Sequence, residues 1–417
     1  VKSNKFIVFA LITSLGVPFT SQGADEAHPL TLDIAIKNAL VQNPELNAER
    51  AKVEVSQGLK TSGAALPPPL IFVGAMGTSP LTRSGQMENS IGISQTIPFP
   101  TKLISESKEK KFMAEAAEAK LQARVLELTA SVKSLFYEFY GAQKKTELLK
   151  QKKSVFEEHN QRLRTSALAD RIVQGHRVWV QTEISLVENE LIEARESEKI
   201  SQGKLNVVMG NSPDQNLPQV EAPPVTELPS EQSLSASHPE LQSFEFSQHA
   251  AEAALTGAKS LWLPDLSIQY RNARRFDGLM PNYSEISVGI TLPFLYFWQP
   301  SGQAHAANAR LQEASFELEK VRQDLKMDLL EARARAESLK AQLSNYDSKI
   351  VPQAEKRMKI AHGLVPSDMA SLTEHRDAME SVVNLQLSEL STRVNYEKAV
   401  AKLESLLSNK SKTKETL

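Results

Sequence analysis

Residues 31–160 of the chain are echoed, anchor by anchor, 195 positions later. Asn43-Pro44-Glu45-Leu46 returns as His238-Pro239-Glu240-Leu241, and Pro69 returns as Pro264. Ile91-Gly92-Ile93-Ser94-Gln95-Thr96-Ile97-Pro98-Phe99 returns as Ile286-Ser287-Val288-Gly289-Ile290-Thr291-Leu292-Pro293-Phe294. A constant offset across three anchors marks an internal two-fold repeat, and each half reads helix, strand, strand, long helix, return helix. The expected organisation is a signal peptide at 1–23, a first structural repeat at 24–210, a Pro-rich linker at 211–232, a second repeat at 233–408 and a flexible tail at 409–417.

Thr31 to about Gly63 reads as one helix, with Thr31 as cap and Gly63 and Pro67 as its end. Two segments, Leu70–Gly77 and Asn89–Ile97, then lose the helical period. Their counterparts alternate cleanly. Leu266, Ile268 and Tyr270 alternate with Ser267, Gln269 and Arg271, while Ile286, Val288, Ile290 and Leu292 alternate with Glu285, Ser287, Gly289 and Thr291. Period-2 alternation predicts strands with one apolar and one polar face. Four strands cannot close a barrel or hide their edges. Either the hairpins dock on a helical core, as in a soluble sandwich, or several chains share one sheet.

From about Lys102 to Arg164, Leu121, Val125, Leu128, Val132, Leu135 and Phe139 follow heptad spacing, and Leu339, Leu343, Tyr346 and Ile350 do so between about Gly302 and His362. Helices of roughly 60 residues span about 90 Å. They form an elongated body and not a globular core. Breaks at Thr165–Ala169 and Gly363–Pro366 precede return helices at about Asp170–Gly210 and Ser367–Ser408. The second break lies 198 residues after the first, so three residues are gained along the second long helix. Pro213, Pro218, Pro223, Pro224 and Pro229 mark an extended linker.

At the N-terminus, Lys2 and Lys5, the apolar run Phe6–Leu15 and Ser21-Gln22-Gly23 have the layout of a secretory signal. The chain has no cysteine, which excludes disulfides, thiolate metal sites, a cysteine nucleophile and a lipid anchor on an N-terminal cysteine. The formal net charge of −2 gives no basic face for nucleic acid. No run after the signal has the length of a transmembrane helix, which leaves a soluble exported protein or a β-barrel as the options. No phosphate loop, nucleophile elbow or His-Glu-x-x-His helix occurs, so no enzyme, cofactor or resident metal is expected.

The signal, the duplicated unit, the Asn-Pro-Glu-Leu and Pro-Phe anchors and the missing catalytic motif together resemble the TolC-type outer-membrane efflux family over about Leu30–Leu407. The Ile97-Pro98-Phe99-Pro100-Thr101-Lys102-Leu103 stretch resembles the Pro-Phe-Pro-Gly-Lys-Leu junction of heavy-metal efflux members, with Thr101 in place of glycine. The resemblance implies a mainly α fold with a small β part, in which a homotrimer builds an α-helical barrel and a 12-stranded transmembrane β-barrel. Leu266, Ile268, Tyr270, Ile286, Val288 and Ile290 would then face outer-membrane lipid, with Ser267, Gln269, Arg271, Ser287, Gly289 and Thr291 lining the lumen. Trp262 and Tyr296-Phe297-Trp298 would form an aromatic girdle, or else pack on a helix end.

Carried over from the family, the periplasmic constriction falls on Glu374 and Asp377, counted back from Asn395-Tyr396. Their first-half equivalents are His176 and Trp179; His176, His362 and His375 lie near this constriction and read as helix-surface histidines, with transient metal contact as the alternative. Arg164, Asp170, Arg171, Arg357, Gly363, Leu364 and Asp368 belong to the tips that would meet a periplasmic adaptor and contribute gate ion pairs. The implied function is a passive exit duct fed by an inner-membrane pump, the RND type being the candidate, with heavy-metal cations as the favoured cargo. Drugs or type I secreted proteins are alternative cargoes. A soluble periplasmic coiled-coil scaffold or adaptor is the alternative from another class.

Overall fold

The computed structural model describes residues 29–63, 65–76, 88–166, 171–221, 223–230, 235, 237–275, 281–363 and 369–407. The expected signal peptide and tail lie outside them. Helices α1 (Leu32–Gln42) and α2 (Pro44–Ser62) replace the single first helix of the sequence reading. Pro44 explains the break, because it has no N–H for the preceding turn and is favoured at the first helical position. Asn43 fixes both sides of it. Its Oδ1 accepts from the Leu46 N–H at 3.0 Å, and its Nδ2 donates to the Val208 carbonyl at 2.8 Å, tying the break to a distant helix.

Strands β1 (Leu70–Met76) and β2 (Glu88–Ile97) lead into α3 (Pro100–Ser166), a helix of 67 residues that spans about 100 Å. Helix α4 (Arg171–Met209) returns beside it and ends at Gly210, whose φ of +83° brings it against the Gln42 carbonyl. The second half supplies α5 (Pro239–Lys259), β3 (Leu266–Arg275), β4 (Tyr283–Ile290), α6 (Trp298–Asn345), α7 (Val351–Gly363) and α8 (Met369–Leu407). No helix among the described residues is long and apolar enough to cross a membrane.

The three-residue gain is divided, not carried by the long helix alone. Buried Leu325, Leu329, Ala336 and Leu343 stand 197 residues after buried Leu128, Val132, Phe139 and Thr146, so two of the extra residues enter between Phe294 and Leu325. The third is absorbed by a π-helical turn at Tyr346–Ile350, joining α6 to α7. Such a turn accommodates one extra residue without breaking a helix. Beyond it, buried Ala361 and Ala378 stand 198 residues after Leu163 and Val180.

Among the described residues, apolar side chains gather in three clusters along the helices. One joins α1, α3 and α4 through Ala35, Val132, Phe136, Phe139 and Leu205. A second joins α5, α6 and α8 through Leu241, Leu329, Ala336, Tyr396 and Leu403. The third, towards the C-terminal end of α3 and the N-terminal ends of α4 and α8, packs Leu149, Phe156, Val180 and Val187 with Met379.

The linker is extended, as its prolines require, and it is strapped down. Leu30 and Val220 form a parallel bridge, and Gln143 accepts from the Val220 N–H at 3.1 Å. The Thr226 N–H donates to buried Glu397 at 3.0 Å, and the Tyr396 hydroxyl donates to the Thr226 carbonyl at 2.7 Å. Burial pushes the neighbouring Tyr137 hydroxyl up to about 12.

Candidate functional site: the sheet faces and the helix tips

The four strands form one antiparallel sheet in the order β1-β2-β3-β4. The two hairpins meet at its centre, from Glu88↔Arg275 to Ile97↔Leu266. Register sorts the side chains. Ile71, Ile93, Tyr270 and Ile286 share one rung, Ile97, Leu266 and Ile290 another, and Val73 and Ile91 a third, all on one face. All of these but the half-buried Ile97 are exposed, and Ile286 is 72% exposed. A stripe of this size on the outside of a folded chain marks contact with lipid or another protein.

Gln95 interrupts the apolar face opposite Ile268. Its Nε2 is nevertheless satisfied, donating to the Pro67 and Thr96 carbonyls at 2.8 Å each. An amide bonded to the backbone in this way leaves mainly its methylenes on the apolar side.

The opposite face carries Gln269, Arg271, Glu285 and Ser287, as the alternation predicts. It also holds a cluster with no signal in the sequence. Glu88 accepts from the Tyr283 hydroxyl at 3.0 Å and from Arg275 at 3.3 Å, while Arg271 donates to Glu285 at 2.7 Å and to the Tyr283 hydroxyl at 2.9 Å. Phe72 lies over Gly92 on this face. A Cβ there would stand 2.2 Å from the Phe72 ring and 2.6 Å from the Tyr270 carbonyl oxygen, so only glycine fits.

Beneath the sheet, Asp265 ties the two strand-to-helix junctions together. One carboxylate oxygen accepts from the Phe99 N–H at 2.9 Å and from Lys102 at 2.7 Å, while the Asp265 N–H donates to the Thr291 hydroxyl at 2.7 Å. The lysine of the Pro-Phe-Pro junction therefore fixes one hairpin to the other. Tyr296, Phe297 and Trp298 pack edge-on against one another and remain about 60% exposed, so they are not buried against a helix end.

At the other end of the long helices, Glu374 and Asp377 both lie on α8, one turn apart. Arg357 of α7 donates to Glu374 at 2.8 Å, and that hydrogen bond and charge hold the Glu374 carboxyl below the usual carboxylate range. Asp377 adds its charge to the field at the same guanidinium. Arg164 is exposed at the end of α3, while Arg171 and Gly363 belong to the termini of α4 and α7. Asp170, Leu364 and Asp368 lie outside the described residues.

His176 and Trp179, the first-half equivalents, do not line an open surface. His176 is buried against His159 of α3, with its ring stacked on Trp179, and Trp179 meets Phe156 edge-on. Heptad packing of α3 on α4 has turned both inward, so His176 is a buried residue and not the helix-surface histidine of the sequence reading. His362 and His375 have side chains outside the described set.

A family model described as outer membrane efflux protein matches residues 35–211 and 231–409. The chain belongs to this family. Its members are ducts and not enzymes, trimeric channels that work with adaptors and inner-membrane pumps. No curated protein sequence matches the chain. Among solved structures, CusC, described as forming a transmembrane channel, is 15% identical over 94% of this chain and 96% of its own, with a TM-score of 0.79. The open-state MtrE outer membrane channel of Neisseria gonorrhoeae is 18% identical over 91% and 89%, with a TM-score of 0.77. The CmeC outer membrane channel of Campylobacter jejuni is 14% identical over 95% and 94%, with a TM-score of 0.75. At such identities the likeness is one of fold.

Besides the Glu88 cluster, two features of this efflux protein have no signal in the sequence. Asn395-Tyr396 served there only to set register, yet Tyr396 and Glu397 anchor the linker. The contact between His159 and His176 joins residues on different helices, and no spacing rule links them.

Proposed function

We propose that three copies of this chain assemble into a passive outer-membrane exit duct of a tripartite efflux system. Each chain would give its four strands to a 12-stranded barrel, and the helices, arranged as two repeats per chain, would extend the duct through the periplasm. The carrying observation is the sheet. Among the described residues, β1 and β4 have a neighbour on one side only, and the apolar face is exposed. Closure with sister strands inside lipid would satisfy the unpaired edges and cover the apolar face at once.

In this reading the rungs of Ile71, Ile93, Tyr270 and Ile286 face acyl chains, and Tyr296, Phe297, Trp298 and Trp262 sit at the interface. Arg271, Glu285, Glu88 and Arg275 line the water-filled lumen. Glu374 and Asp377 of three chains ring the periplasmic aperture. Glu374, paired with Arg357, and Asp377 bring two carboxylates per chain to this level, and a ring of carboxylates favours cations. The tips around Arg164, Asp170, Arg171, Gly363, Leu364 and Asp368 meet the adaptor, and energy comes from the inner-membrane pump, for which the RND type is the candidate. Heavy-metal cations are the cargo that the Pro98-Phe99-Pro100-Thr101-Lys102-Leu103 junction favours.

Cell fractionation tests this reading. A detergent-extracted particle with the mass of three chains, recovered from the outer membrane, is expected. Release of the chain as a monomer with the periplasmic fluid would support a soluble scaffold instead.

A further inference from the structure

Two contacts between helices occupy corresponding levels of the two helical hairpins. In α7–α8 it is the bond from Arg357 to Glu374, 2.8 Å long. The residues 198 positions earlier are His159 and His176, on α3 and α4, and their Nε2 atoms stand 2.9 Å apart. The rings meet edge-on, with centroids 5.2 Å apart and planes at 86°. His176 is 8% exposed and stacked on Trp179.

A hydrogen bond between two Nε2 atoms needs a proton on one and a lone pair on the other. The contact survives with both imidazoles neutral, or with one proton added. A second added proton sets N–H against N–H and two positive charges at hydrogen-bond distance. The Arg–Glu contact has no such limit, because guanidinium and carboxylate ordinarily keep their charges between pH 5.5 and 7.5. Histidine ordinarily titrates inside that window.

We propose that His159 and His176 form a pH-released clasp on the α3–α4 hairpin, closed at neutral pH and opened when both imidazoles are protonated, while α7–α8 keeps its charge-paired clasp. Charged groups on the elements packed here include Lys152, Lys153, Glu157, Glu158 and Arg164 on α3, Arg177, Glu183, Glu188 and Glu190 on α4, Glu355, Lys356, Arg357 and Lys359 on α7, and Glu374, Asp377 and Glu380 on α8. Lys152 pairs with Glu190 at 3.3 Å and Lys153 with Glu188 at 2.8 Å, so charge pairs already hold α3 to α4 on the side away from the turn. His362 and His375 are the other imidazoles of this region.

The sign follows from proton counting. The closed clasp binds at most one added proton and the open hairpin two, so closure is favoured above the ordinary imidazole value and lost as the pH falls through it. With ordinary imidazoles at about 6.5 in the open form, and the same value for the one proton the closed form takes up, the ratio of open to closed rises roughly tenfold between pH 7.5 and 5.5. The effect on the aperture rests on the duct reading above; the clasp itself does not.

Hydrogen exchange of the full chain in detergent micelles, corrected for the intrinsic pH dependence of exchange, tests it. Peptides covering 152–163 and 173–184 are expected to open roughly tenfold more at pH 5.5 than at 7.5, with peptides covering 354–361 and 374–384 unchanged. Transplanting the other clasp, His159→Arg with His176→Glu, should abolish the response, although His362 and His375 remain. His159→Gln, which adds no titrating group, should do the same if the double variant does not fold. An equal response in both hairpins, no response in the wild type, or a response that survives either variant would overturn the clasp. Loss of outer-membrane location would overturn the duct and leave the exchange result standing.

Discussion

Ile286→Lys and Ser287→Lys place the same charge on adjacent residues of β4, one on each face of the sheet. Ile286 shares the central apolar rung with Ile71, Ile93 and Tyr270 and is 72% exposed. A lysine facing lipid near the bilayer midplane costs about 2–4 kcal/mol per copy, or about 6–12 kcal/mol in a trimer. Ser287 faces the other way, opposite Gln269, and its hydroxyl donates to Glu285 at 3.0 Å, so a lysine there keeps water and gains a carboxylate neighbour. A solvated substitution of this kind stays within about 0.5 kcal/mol. The assay is the temperature at which the outer-membrane trimer dissociates in SDS gels, together with its yield. Ile286→Lys should lose most of the assembled protein, and Ser287→Lys should match the wild type. Equal tolerance, or equal loss, would mean that the apolar face does not meet lipid.

Replacing Glu374 and Asp377 together with alanine removes both carboxylates and strands Arg357, so planar-bilayer conductance should shift from cation towards anion preference; unchanged selectivity would remove them from the pore. Tyr396→Phe deletes the bond to the Thr226 carbonyl and should cost about 0.5–1.5 kcal/mol. Limited proteolysis should then cut faster near Thr226, and an unchanged cutting rate would deny the strap. Lys102→Met leaves the part-buried Asp265 carboxylate without its cation and should cost about 1–3 kcal/mol in trimer dissociation. A silent substitution would show that the junction is held by the backbone bonds alone.

The β-segments were legible because their pattern is local. Leu266–Tyr270 and Ile286–Ile290 alternate without error, and pairing register followed the faces. Gln95 was the exception, and its bonds to Pro67 and Thr96 are invisible in a one-dimensional pattern. The break at Asn43-Pro44 was misread as helix interior, although proline at a first helical position was the available signal. The heptads located the seams of α3 and α6, but not the π-helical turn, which appears only when buried positions of the two halves are compared. At the tips, sequence named Arg357 and Glu374 separately, and only the packing of α7 on α8 joined them. His159 and His176 stand 17 residues apart on different helices. Nothing in either helix alone distinguishes them from solvated side chains.

Pairing between β1 of one chain and β4 of the next is the most direct test of the shared barrel. Within one chain, β2 and β3 separate these strands by three strand spacings, about 14 Å, which is beyond the roughly 7 Å that a disulfide can bridge between Cα atoms. The chain has no native cysteine, so introduced pairs report without background. Cysteines at Ile71 or Val73, combined in turn with Ser284, Ile286, Val288 or Ile290 and oxidised in intact cells, should give a ladder that ends at the trimer for at least one register. Monomers at every register, from protein that still reaches the outer membrane, would contradict the account.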